Sequence, residues 1–103
     1  MAYQVAWSRS ALEDVEAIAT YISRDSPSYA GAVVRKILNS TRSLESFPFS
    51  GRIVPEFDEK NIREVLAYSY RIVYRVEGRT VTIAAVIHGK RMAASSLQPE
   101  VLE

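Results

Sequence analysis

The strongest constraint on this chain lies in its second half. There "YRIVYRV" (Tyr70–Val76) and "TVTIAAVIH" (Thr80–His88) are separated only by Glu77, Gly78 and Arg79. Both runs are dense in β-branched and aromatic residues and both alternate, the pattern of half-buried strands. So short a connection, with Gly78 supplying the positive φ of a tight turn, leaves an antiparallel hairpin as the arrangement they fit. "IREVL" (Ile62–Leu66), just upstream, has the same character and extends the hairpin to a three-stranded meander. An apolar face on such a meander is buried by packing another layer against it, which the rest of the chain must supply.

The first half supplies that cover. "YQVAW" (Tyr3–Trp7) reads as a short strand. "SALE" (Ser10–Glu13) fits a capping box, with Ser8 as a competing cap, and Leu12, Val15, Ile18, Ala19 and Ile22 follow at helical spacing to about Ser23. "DSP" (Asp25–Pro27) ends that helix and starts another, with Ser26 as N-cap and Pro27 in the first helical position. Ala30, Val33, Val34, Ile37, Leu38, Thr41 and Leu44 keep one side of the second helix apolar. Two amphipathic helices joined this closely form an antiparallel hairpin. "FPFSGRIVPEFDEKN" (Phe47–Asn61) reads as a packed loop, and residues 93–103 as a short helix ended at Gln98-Pro99 or as disordered. The expected fold is a single α+β domain over 1–103. Its N-terminal strand and antiparallel helix hairpin pack on one face of a twisted antiparallel β-sheet whose other face is free.

Composition narrows the chemistry. The chain has no cysteine and one histidine, which excludes disulfides and thiolate metal sites and argues against zinc. No Gly-rich phosphate loop or nucleophile elbow is present, so no cofactor and no metal is expected. No apolar run approaches the ~20 residues of a membrane span, and a reducing cytoplasm is the expected location. The net charge is +1, but from Lys60 to Arg91 seven basic residues stand against two acidic ones. That local field favours an anionic partner, or else is a row of solvated strand-edge charges.

Alternation sorts the hairpin's side chains. Tyr70, Ile72, Tyr74 and Val76 share one face with Val81, Ile83, Ala85 and Ile87; being more apolar, these should meet the helices. Arg71, Val73 and Arg75 then share the other face with Thr82, Ala84, Val86 and His88. With a four-residue connection, Arg71 and His88 lie diagonally ~7–8 Å apart at Cα; a two-residue one would separate them by further pairs, and a three-residue loop or a bulge would break the shared parity. His88 reads as a general acid or base, or as a strand-end histidine bonded to the loop. Arg71, in mid-strand, reads as the ion-pair partner of Glu56 or Glu64, or as a binder of phosphate or of a partner carboxylate. Arg75, Lys90, Arg91 and Tyr68 complete the candidate anion- and partner-binding set, Tyr68 by stacking.

The stretch "REVLAYSYRIVYRVEGRTVTIAAVIHGKR" (Arg63–Arg91), preceded by "SRSALEDVEAIATYI" (Ser8–Ile22) and "FPFSGRIVPE" (Phe47–Glu56), resembles the RelE/ParE superfamily of toxins from bacterial type II toxin–antitoxin modules. "GRIVPE" and "HGKRM" look closer to the ParE and plasmid-stabilisation branch. The resemblance implies a cognate antitoxin in a toxin–antitoxin hetero-oligomer, operator DNA contacted only through that antitoxin, and DNA gyrase as the target of a non-enzymatic inhibitor. The RelE-like alternative is a metal-independent, ribosome-dependent mRNA endoribonuclease. Its catalytic positions would fall on Arg71, His88, Arg63 and Glu56. Against it, no lysine-rich segment precedes the third strand and Gly89 stands where a tyrosine follows in such nucleases. A plain nucleic-acid-binding module is the third reading.

Overall fold

Residues 2–90 are described by the computed structural model; Arg91 and the tail element expected over 93–103 lie outside the described residues. The elements run β1 (Gln4–Trp7), α1 (Arg9–Ser23), α2 (Pro27–Arg42), a 3₁₀ turn (Ser43–Glu45), β2 (Arg52–Ile53), β3 (Ile62–Ala67), β4 (Tyr70–Glu77) and β5 (Thr80–His88).

Ser8, not Ser10, caps α1. It sits in extended backbone directly after β1, and its hydroxyl accepts from the Ala11 N–H at 3.0 Å. Starting the helix there leaves Ser10 inside it, with Ala11 fully buried and Leu12, expected in the core, turned to solvent. The second cap forms where the sequence puts it: Ser26 accepts from the Tyr29 N–H at 3.2 Å and Pro27 opens α2.

The strands form one sheet in the order β1-β5-β4-β3-β2. β1 runs parallel to β5 and every other pairing is antiparallel, so the sheet is mixed where a wholly antiparallel one was expected. The helix hairpin and the 3₁₀ turn cover one face, with Val33 and Ile37 of α2 and Leu44 of the turn in one core with Ile72, Tyr74, Val81, Ile83 and Val86. The opposite face is not free. Val54 and Phe57, from the segment read as a loop, fold over Ile62, Val73, Ala85 and Ile87 and make a second, smaller core. The Val54 N–H donates to the Ile62 carbonyl at 3.1 Å and holds that cover in place.

The hairpin turn contains two residues, Gly78 and Arg79, since Glu77 pairs with Thr80; Gly78 has φ +59°. Pairing continues to Tyr74–Ile83 and resumes at Val73–Ala85, which leaves Ala84 as an extra residue in β5. This β-bulge shifts the alternation, so that Val81, Ile83 and Val86 face the helices while Ala85 and Ile87 face away. It forms where β1 ends. The Ser8 N–H donates to the Ile83 carbonyl (3.0 Å), the Ser8 hydroxyl to the Ala84 carbonyl (3.2 Å), and the Val86 N–H to Asp14 Oδ2 (2.9 Å). The start of α1 thus takes over the pairing that β1 no longer offers.

Candidate functional site

Arg71 lies on the face away from the helices, but beneath the cover of the smaller core, and is only 5% exposed. Its Nε donates to Glu64 Oε1 at 2.6 Å, and Nη1 and Nη2 donate to the two oxygens of Glu56 at 2.7 and 2.8 Å. Glu64, 1% exposed on β3, also accepts from Arg52 Nε. The result is a row of alternating charges, Arg52–Glu64–Arg71–Glu56, running from β2 across β3 to β4 and on to the turn after β2. Hydrogen bonding to Glu56, opposed by burial and reinforced by Glu64, raises the Arg71 pKa above the ordinary arginine value. The guanidinium is permanently charged, and its charge is met by two carboxylates.

His88 is on the other face. It pairs with Tyr70, meets that ring edge-on at 6.0 Å between centroids, and its Nδ1 accepts from the Lys90 N–H at 3.3 Å. The floor expected to join Arg71 and His88 therefore does not form, because the bulge at Ala84 carries His88 to the helix side. Arg63 also belongs to the helix side of β3. It donates from Nε to the Lys60 carbonyl (2.8 Å) and from Nη1 to the carbonyls of Phe49 (3.1 Å) and Gly51 (3.0 Å), with its guanidinium 5.0 Å from the Phe49 ring centroid. Of Arg71, His88, Arg63 and Glu56, only Arg71 and Glu56 touch, as an ion pair.

The expected partner-binding residues also divide. Arg75 is half-buried beside Glu77, at 3.7 Å, while Lys90 is exposed at the end of β5. Tyr68 is exposed in the β3–β4 turn with φ +54°, a left-handed conformation that a tyrosine rarely adopts. Its ring lies 6.1 Å from that of Tyr29, in the first turn of α2. Tyr70 is close by; burial first, then the proximity of Tyr29 and Tyr21, pushes its pKa up. Tyr21, Tyr29, Tyr68, Tyr70 and His88 so gather where the helix-hairpin turn meets the β3–β4 turn. Sequence reasoning found Tyr68 and His88 but not this cluster; the available signal was that Tyr21 and Tyr29 fall outside the apolar stripes of their helices.

Among the described residues no group of three or more His, Cys, Asp or Glu side chains could hold a metal ion, and no helix is long and apolar enough to cross a membrane.

Residues 5–93 match the profile of the ParE toxin of the type II toxin–antitoxin system parDE. This chain belongs to that family. It is also similar to Y4kP of Sinorhizobium fredii (strain NBRC 101917 / NGR234), whose given name proposes a toxin, with 35% identity over 86 residues that span 82% of this chain and 86% of that protein. Three solved structures share the fold. The chromosomal ParDE toxin–antitoxin system of P. aeruginosa superposes with a TM-score of 0.69 at 21% identity, covering 84% of this chain and 95% of that one. The RelBE2 toxin–antitoxin complex of Mycobacterium tuberculosis gives 0.58 at 20% identity, covering 85% and 99%. A double arginine-to-alanine mutant of E. coli RelE in the free state gives 0.63 at 18%, covering 93% and 90%. The ParE family member described here is thus the toxin of a type II toxin–antitoxin system, with a cognate antitoxin as its partner.

Proposed function

We propose that this toxin is a protein inhibitor of DNA gyrase, neutralised in the cytoplasm by its cognate antitoxin, and that it reaches operator DNA only through that antitoxin. The observation that carries the choice over mRNA cleavage is the state of Arg71. A ribonuclease of this kind needs a cation free to meet the charge that builds on the phosphate, near a group that moves protons. Here the Arg71 nitrogens donate to Glu56 and Glu64, and His88 projects from the opposite side of the sheet. Replacing two carboxylates by one phosphate would strand buried Glu64 without its Arg71 bond, an unfavourable exchange.

A supercoiling assay with purified gyrase tests the reading. Toxin should abolish supercoiling in a dose-dependent way, and a stoichiometric amount of antitoxin should restore it. Undiminished supercoiling at a high molar excess of toxin refutes the proposal. Cuts at ribosomal A-site codons, mapped on mRNA ends after induced expression, would establish the nuclease in its place.

A further inference from the structure

The two carboxylates that hold Arg71 are not equivalent. Glu64 stands inside β3, its side chain is fully buried, and it is shared with Arg52. Glu56 lies outside the strands, in the turn after β2, and its side chain keeps 14% of its surface in water. The backbone of that turn is fixed. The Val54 N–H donates to the Ile62 carbonyl at 3.1 Å, and the Val54 carbonyl accepts from the N–H groups of Phe57 (3.1 Å) and Asp58 (3.0 Å). Glu56 can therefore leave the guanidinium by rotating its own side chain, with the turn unchanged, whereas Glu64 has no route to water within the packed sheet. Nη1 and Nη2 of Arg71 donate side by side to the two oxygens of Glu56, at 2.7 and 2.8 Å. A guanidinium offers this two-pronged edge to any carboxylate, of its own chain or of another. An apolar seat adjoins it on the same face: Leu66 lies directly opposite Arg71 in the β3–β4 register and is 58% exposed.

We propose that Glu56 is an internal ligand in a carboxylate site, and that an Asp or Glu side chain of the antitoxin takes its place on Arg71 when the two proteins bind. The exchange strands no buried charge. One carboxylate replaces another on the same two donors, Glu56 turns to water, and Glu64 keeps both of its arginines. Because the incoming acid must displace an equal, it gains only when the rest of its segment is held in place, so the site discriminates between partners more than it adds affinity. Leu66 beside the fork calls for an apolar residue next to that acid. A nucleic-acid phosphate is the poorer occupant, since its neighbours along the backbone would meet the displaced Glu56 as like charges. The proposal is independent of which enzyme the toxin inhibits.

The test compares full-length toxin, wild type, Glu56→Gln and Glu56→Ala, in direct binding to the cognate antitoxin. Thermal unfolding in acetate or phosphate is measured alongside, against chloride at equal ionic strength. With the internal ligand gone, the antitoxin should bind about tenfold more tightly, as for a site otherwise about 90% self-occupied. Glu56→Gln, which keeps the volume and one acceptor for Arg71, should show the same direction if Glu56→Ala melts too early to titrate. Acetate should raise the melting temperature of both variants and leave that of wild type unchanged. In the antitoxin, one Asp or Glu replaced by its amide should weaken binding to the wild-type toxin and cancel the gain of Glu56→Gln. Antitoxin affinity unchanged or weaker in both variants overturns the proposal and leaves Arg71–Glu56 a structural ion pair. Stabilisation of the variants by phosphate but not by acetate also overturns it, and assigns the site to a phosphate ligand. Failure of every acidic antitoxin residue to couple to position 56 overturns the antitoxin as occupant.

Discussion

Replacing Arg71 with alanine tests whether that residue serves stability. In the wild type, Glu64 is 1% exposed and shares its charge between Arg52 and Arg71. Without Arg71 it keeps only Arg52, whose side chain is mostly in water, while Glu56, already partly exposed, can turn to solvent. Removing one partner from a buried ion pair costs about 3–5 kcal/mol, and the escape route for Glu56 places this case at about 3 kcal/mol. For a domain of this size that lowers Tm by roughly 12–24 °C. Arg71→Met/Glu64→Leu, which removes both buried charges and refills the volume, should recover most of the loss. Thermal unfolding of the isolated toxin followed by far-UV circular dichroism gives both numbers. An Arg71→Ala protein melting within about 3 °C of wild type, or a double variant less stable than the single one, would refute the assignment.

Two further predictions concern stability and its pH dependence. Burial above all raises the Tyr74 pKa, against opposing contributions from the Gly51 bond and Arg63. The folded state therefore holds that proton more tightly than the unfolded state, so stability is flat below the ordinary tyrosine value of about 10 and falls as pH rises beyond it. Tyr74→Phe should flatten this alkaline slope in urea titrations while losing about 1–3 kcal/mol at neutral pH, because the buried Gly51 N–H loses its acceptor. Ser8→Ala should lower stability by about 0.5–2 kcal/mol through loss of the α1 cap, whereas Ser10→Ala should stay within about 0.5 kcal/mol, and equal effects would contradict the cap assignment.

Elements whose signals are local were legible before any coordinates. The helix hairpin followed from apolar spacing and the "DSP" junction, and the β4–β5 turn from Gly78. The face of β4 turned to the helices, Tyr70, Ile72, Tyr74 and Val76, came from alternation alone. What stayed hidden depends on contacts distant in sequence. The parallel partner of β1 lies more than seventy residues away. The cover over Arg71 comes from Val54 and Phe57, whose two-residue strand β2 is too short to leave a periodic trace. The bulge at Ala84 has no mark in an alanine pair, since Ala84 and Ala85 are interchangeable by composition, and so the side on which His88 emerges was misjudged. The ion pairing of Arg71 with Glu56 and Glu64 was among the readings open from sequence, because a mid-strand guanidinium demands a partner.

The surplus residue in β5 makes strand length a chemical variable. Deleting Ala84 would only flatten the bulge, but deleting Val86 while keeping the turn and the bulge would set His88 opposite Arg71, on the side of the sheet that holds it, with no change in either side chain. A fold of this kind can therefore acquire or discard a juxtaposed imidazole and guanidinium through a one-codon change in length, and sequence comparisons that score substitutions while treating gaps as neutral would pass over the event.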